Sequence, residues 1–323
     1  MSETKKFEDL FLSSNFEETL SIKKLKILII SDINSNFMYL QKLKEWQLKN
    51  NIYFDYIFFA GNFLKHTNFA NKTEEKENIA IQEAEMSTLL TFLENINLNI
   101  FYIGGLNDPK NLFMKNPPTL TIKSMNIHKQ CVKILDDLYL IGLGGMIPQF
   151  INKNIENDKN IFIKPFKKYN FENIYKEGFN YYDPDSKYYG SDKKFGKDLD
   201  EVFMTLNNNI FEYNTSKNIK FILLTNFGPF SSPSTFYNNL NENSMIYGGS
   251  KKLENCIKKY QNILVNIHGS NSLSKGIFVL EKSFVVNPGN LDLGDFVIID
   301  LERDMKNEGE WKVKNIQMKN LFN

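Results

Sequence analysis

In the N-terminal third of the chain, short continuous apolar runs alternate with longer stretches in which apolar residues recur every three or four positions. Leu25 to Ser31 (L-K-I-L-I-I-S), Asp55 to Ala60 (D-Y-I-F-F-A) and Asn99 to Ile103 (N-I-F-Y-I) have strand length, and each ends in a polar or glycine loop. Runs of this kind predict strands buried on both faces. Between them, Phe37, Leu40, Leu43 and Trp46 share one helical face, as do Ile79, Met86, Leu89, Leu90 and Leu93. The order strand, helix, strand, helix, strand predicts a layered α/β domain.

Beyond residue 130 the pattern changes to strands in quick succession. Leu138 to Leu143, Phe221 to Thr225, Ile263 to Ile267, Gly276 to Leu280, Phe284 to Val286 and Phe296 to Leu301 read this way, with one helix near Lys251 to Tyr260. The stretch at about 150–197 lacks periodicity and is rich in Lys, Asn, Tyr and Phe, which marks it as an insertion in the domain. The expected division is an N-terminal extension at 1–24, a domain at 25–305 carrying that insertion, and a C-terminal strand or tail at 306–323.

Composition narrows the setting. With 39 Lys and Arg against 38 Asp and Glu, the net charge of +1 gives no whole-chain field to draw nucleic acid or a membrane surface, so neither is expected as a partner. Cys131 and Cys256 have neither disulfide-framework number nor metal-ligand spacing and fit a reducing, intracellular, cytoplasmic environment. No apolar run reaches the length of a membrane span. None of the histidines, His66, His128 and His268, has a second histidine at ligand spacing.

In α/β sheets chemistry sits in the loops at the carboxyl ends of strands. Here those loops read S-D-I-N-S-N from Ser31, A-G-N-F from Ala60, G-G-L-N-D-P from Gly104, L-L-T-N-F-G-P from Leu223 and I-H-G-S-N-S-L-S-K-G from Ile267, followed by V-V-N-P-G-N-L-D-L-G-D-F from Val285. Their order and flanking residues resemble the calcineurin-like metallophosphoesterase superfamily, whose motifs run D-x-H, G-D, G-N-H-D or E, H, and G-H-x-H. The segment I-G-L-G-G-M-I-P-Q-F from Ile141 adds to the likeness, which spans about residues 25 to 302. The resemblance implies a four-layer αββα sandwich, two packed mixed β-sheets flanked by helices. It also implies a site in which two divalent metals, Mn, Fe, Zn or Mg, about 3.5 to 4 Å apart in such centres, activate water toward a phosphoester.

Carried over position by position, the resemblance keeps the fold and loses the chemistry. Asp32 matches the first aspartate, but Asn34 stands where the D-x-H histidine belongs and Asn62 where an aspartate would bridge the metals. Leu106 and Asn107 take the places of the asparagine and histidine of G-N-H-D, while Asp108 survives. Asn226 replaces the next histidine, and Ser270 and Ser272 both histidines of G-H-x-H. Asp32 is the only ligand position retained. Losing one outer-shell partner already costs a metal site roughly 10 to 100-fold in affinity, so no bound metal and no catalytic residue are expected. A hard-cation cage built from Asp32, Asn34, Asn62, Asn107 and Asn226 is the competing reading. Drift toward asparagine in a low-G+C genome explains the replacements without any site. The expected function is a pseudoenzyme, a structural or interaction component of a larger assembly, in a cytoskeletal or ciliary setting. It would meet other proteins through the 150–197 insertion or the N-terminal extension. The alternative is an active metal-dependent phosphoesterase cleaving a phosphomonoester or phosphodiester.

Overall fold

The computed structural model describes residues 22–65, 72–105, 107–114, 116–135, 137–145, 192–206, 218–230, 232–239, 244–247, 249–269, 274–304 and 309–323. Strand β1 (Ile22–Ile30) leads into helix α1 (Phe37–Asn50), β2 (Tyr56–Phe59), α2 (Lys72–Leu93), β3 (Ile100–Tyr102), β4 (Ser124–Asn126), β5 (Gln130–Leu135) and β6 (Leu138–Leu143). After α3 (Asp192–Leu206) come β7 (Lys220–Thr225), the pair β8 (Phe236–Asn239) and β9 (Ser244–Tyr247), α4 (Lys251–Lys259), β10 (Ile263–His268), β11 (Gly276–Leu280), β12 (Ser283–Asn287), β13 (Asp295–Asp304) and β14 (Lys312–Asn320).

The strands form two six-stranded sheets, in the orders β14-β13-β1-β2-β3-β4 and β11-β12-β10-β7-β6-β5. Both are mixed. In the first, β1 through β4 run parallel, with antiparallel β13 and β14 at one side. In the second, β6, β7, β10 and β12 run parallel between antiparallel edge strands β5 and β11.

The two-residue period of the strands distributes their side chains among three cores. Ile27 and Ile29 of β1 meet Leu140, Ile222, Leu224, Val265 and Ile267 between the sheets. Their neighbours Leu28 and Ile30 face outward onto Leu40 and Leu43 of α1 and Leu90 and Leu93 of α2. On the second sheet, Tyr139, Ile141 and Leu143 face Phe195, Leu199 and Phe203 of α3 and Leu253 and Ile257 of α4. Helix, sheet, sheet, helix is the four-layer sandwich that the sequence resemblance implied. It also explains the unbroken apolar runs, since every central strand is covered on both faces.

Several elements were illegible or misplaced at the sequence level. β1 starts at Ile22, before the expected domain boundary, and pairs along its length with β13. α3 opens at Asp192, within the stretch read as an insertion, and buries Phe195 completely, so the domain resumes before residue 197. The remainder of that stretch and residues 1–21 lie outside the described residues. β4 and the β8–β9 pair carried no pattern that marked them as strands. Among the described residues no helix is long and apolar enough to cross a membrane. Cys131 and Cys256 are free, and burial pushes each thiol up to about 12, so both stay protonated.

Candidate functional site

The carboxyl ends of β1, β2, β3, β7 and β10 converge, and loops from the two sheets touch there. Asp32, directly after β1, is buried, and its amide donates to the Gly61 carbonyl at 3.0 Å. Asp32, Asn34, Ser35 and Asn62 all have left-handed backbones, with φ of 53°, 50°, 62° and 63°. Non-glycine residues in this region are uncommon and cluster where surrounding structure overdetermines them.

The Asp32 carboxylate accepts from both sides. The Ser31 hydroxyl donates to its Oδ2 at 2.5 Å, and the Asn62 side-chain amide donates to its Oδ1 at 2.6 Å. Asn62 thus occupies the place of the bridging carboxylate and presents N–H to Asp32. The amide orientation follows from the partner, since a carboxylate only accepts. Asn34 donates to Asp292 Oδ2 at 2.7 Å across the mouth of the site.

Asp108 faces the backbone. Its Oδ2 accepts from the Asn62 amide at 2.9 Å and the Gly105 amide at 2.7 Å, and its Oδ1 from the Leu64 amide at 3.1 Å. Burial pushes this carboxyl up to about 6, against the lowering effect of those N–H donors. The residue ties the loop after β2 to the loop after β3.

From the second sheet, Asn226 is fully buried and donates to the Ala60 carbonyl at 2.7 Å, while its Oδ1 has no hydrogen-bond partner. A Cβ on Gly61 would come within 2.6 Å of the Asn226 amide and 2.8 Å of Gly105 Cα, and one on Gly269 would fall on the Ser31 hydroxyl. The loops approach so closely that these glycines are steric requirements. His268, at the end of β10, donates from Nδ1 to the Gly269 carbonyl at 3.1 Å, which leaves Nε2 to accept from the Ser234 hydroxyl at 2.7 Å. Burial depresses its basicity to about 4, so it is neutral and fully used in structure. His128 Nδ1 accepts from the Gly144 amide at 3.0 Å.

The structure therefore brings Asp32, Asn34, Asn62, Asp108 and Asn226 together. Asn107 sits in the same loop as Asp108, with a buried Oδ1 that lacks a partner. Leu106, Ser270, Ser272 and His66 lie outside the described residues. Sequence reasoning missed Ser31 and Asp292. Asp292 has one oxygen on Asn34 and the other buried without a partner. The only signal for it was an acidic residue in the turn closing V-V-N-P-G-N-L-D. Among the described residues no group of three or more His, Cys, Asp or Glu side chains is arranged to hold a metal ion.

No family model and no curated protein matches the chain. Solved structures do. One aligns over 93% of this chain and 100% of its own, with a TM-score of 0.57 and 16% identity. The TT1561 protein of Thermus thermophilus aligns over the same shares with a TM-score of 0.50 and 17% identity. A dimetal phosphatase from Danio rerio aligns over 92% and 99%, with a TM-score of 0.49 and 9% identity. At such identities likeness is one of fold. With two mixed six-stranded sheets, flanking helices and strand-end loops meeting between the sheets, the chain has the four-layer fold that its sequence resemblance to the calcineurin-like metallophosphoesterases implied.

Proposed function

We propose that this chain is a metallophosphoesterase-fold protein without phosphoesterase chemistry, serving as a structural or interaction component of an assembly. The observation that carries the reading is the hydrogen bond from the Asn62 amide to Asp32 Oδ1 at 2.6 Å. In a dinuclear centre a bridging carboxylate offsets two dications; here an N–H donor points at the one retained ligand, and a second donor, Ser31, satisfies its other oxygen. Asp108 is spent on three backbone amides and His268 on Gly269 and Ser234. This donor set does not fit a pair of divalent metals, which need several carboxylate and imidazole ligands whose lone pairs are free.

A second reading, a phosphoesterase using one hard cation such as Mg²⁺, is favoured by the buried oxygens without partners on Asn226 and Asp292 beside Asp32. The discriminating experiment is elemental analysis of the purified protein, beside turnover of p-nitrophenyl phosphate and bis-p-nitrophenyl phosphate with added Mn²⁺ or Mg²⁺. The pseudoenzyme reading predicts substoichiometric metal and no turnover above buffer. Near-stoichiometric metal, with turnover abolished in Asp32→Ala, refutes it in favour of the second reading. The partner surfaces proposed for the first reading lie in residues 1–24 and 150–197, and deletion of 1–21 and 150–191, which spares β1 and α3, is expected to abolish partner capture while leaving the melting temperature of the domain unchanged.

A further inference from the structure

Exposed apolar side chains gather at one place on the described surface, beside the mouth of the strand-end site. Phe37 and Met38 open α1, Phe322 follows β14, Leu293 follows Asp292, and all four are exposed. Ring contacts make them continuous. Phe37 meets Phe92 of α2 edge to face at 4.6 Å, Tyr39 meets Phe322 at 5.8 Å, and the Phe322 ring packs on Gly294, next to Leu293. Single apolar residues are ordinary on a surface, whereas a contiguous patch marks a place where something binds.

The patch is also positively charged. Lys42 lies over the Tyr39 and Phe322 rings, 5.1 and 4.7 Å from their centroids, and Lys44 over Phe92 at 5.9 Å. Among the described residues no carboxylate pairs with either ammonium, and α1 sets one acidic residue, Glu45, against Lys42, Lys44 and Lys49. The complement to this face is therefore apolar and acidic.

Residues 7–21, which lie outside the described residues, have that composition. They hold Phe7, Leu10, Phe11 and Phe16 with Glu8, Asp9, Glu17 and Glu18, and neither Lys nor Arg. They are also tethered within reach. The segment enters β1 at Ile22, and the nine residues of β1 cover about 30 Å from there to the mouth, where α1 begins. The eleven residues from Phe11 to Ile22 span up to about 36 Å when extended. Phe7, Leu10 and Phe11 can thus reach the patch, while Phe16 can reach only the later part of α1, which runs back over β1 toward Leu48.

We propose that residues 7–18 dock on the outer face of α1 in their own chain, with Phe7, Leu10 and Phe11 on Phe37, Met38 and Phe322 and with Glu8 and Asp9 beside Lys42 and Lys44. The tether favours this occupant over a free one, since a short linker holds its segment at roughly millimolar effective concentration. A partner that captures the same segment competes with α1 for it. The inference is independent of whether the strand-end site holds a metal.

The test is disulfide trapping in the full chain at about 1 µM, far below that effective concentration. Leu10→Cys is combined with Met38→Cys or, as a control, with Leu98→Cys. Leu98 is as exposed as Met38 and stands at the amino end of β3, nearer to Ile22, so an undocked segment meets it at least as often. The native thiols of Cys131 and Cys256 stay protonated and out of the exchange. Non-reducing peptide mapping is expected to show a 10–38 link within one chain, about fivefold in excess over 10–98. Lys42→Glu with Lys44→Glu should cut that yield by about fivefold, and adding Glu8→Lys with Asp9→Lys should restore it. A change that merely loosened the fold would give no such restoration, and melting curves within about 2 °C of the parent check the fold directly. Equal yields at 38 and 98, links between chains in place of links within one, or indifference to the charge reversals overturns the proposal.

Discussion

Replacing Asp108 by alanine isolates what that residue does for the fold. Its carboxylate is the acceptor for three buried backbone donors, the amides of Asn62, Leu64 and Gly105. Alanine offers no acceptor, and Asn62, Leu64 and Asp108 are all buried from solvent. A buried donor left without a partner costs about 1–3 kcal/mol. Removing the buried charge itself recovers part of this, and the expected net loss is about 4 kcal/mol. For a chain of this length that corresponds to a fall in melting temperature of about 6 °C. Asp108→Asn should recover part of this, because its carbonyl oxygen can still accept from the Asn62 and Gly105 amides, while its NH2 would face the Leu64 N–H. Asp32→Ala should cost less than half as much, since the Ser31 and Asn62 side chains that donate to it can turn, Ser31 toward the Gly61 carbonyl that it already approaches at 3.3 Å.

The pH dependence has a defined sign. Burial lifts the Asp108 pKa from 3.8 to about 6, so the folded chain holds this proton more tightly than the unfolded one. Its contribution to stability is therefore lost as pH rises through about 4 to about 6, and the gap between parent and Asp108→Ala narrows over that window. Guanidinium unfolding followed by circular dichroism at several pH values reads both quantities. A loss below about 1 kcal/mol at every pH would mean that water or relaxation satisfies the three amides, and the structural account of why Asp108 persists would fail.

His268→Gln tests the opposite slope: the folded pKa is depressed from 6.5 to about 4, so the parent loses stability as pH falls through that window, and the variant, lacking this term, should show stability rising as pH drops from about 6 to about 4 under the Asp108 term alone. An unchanged slope in chemical denaturation would refute the buried neutral imidazole. Asn62→Asp sets a second carboxylate at the position that now donates to Asp32, and should cost about 3 kcal/mol at neutral pH, recovering as acid protonates the pair. Protection of that variant by Mn²⁺ in a thermal-shift measurement would show that the loop geometry can still accept a cation once its charge is restored. Gly105→Ala directs a Cβ onto the Asn62 backbone nitrogen, which cannot move without breaking its bond to Asp108, and should cost about 3 kcal/mol; a neutral melting curve would show the loops to be looser than described.

What could be read from the sequence and what could not divide along a physical line. The central strands and α1 were legible because both of their faces, or one helical stripe, are apolar, and period and length then suffice. β4, three residues of Ser-Met-Asn, and the tail of the 150–197 stretch were not, because their places are set by neighbours: β4 by pairing with β3, and α3 by the pocket over β6 and β7 that takes Phe195 and Phe203. The site shows the same division. Alignment to motif order reads six ligand positions as replaced, but base composition alone left the preference for asparagine at Asn34 and Asn62 looking accidental. The backbone supplies a constraint that composition cannot. Both positions are left-handed, with φ of 50° and 63°, and asparagine is the non-glycine residue that tolerates this conformation best. Side chains compatible with these left-handed turns and able to bond across them hold the loops together. Asn62 meets both conditions through Asp32, and Asn34 through Asp292. The hydrogen bonds across the site thus hold the strand ends together.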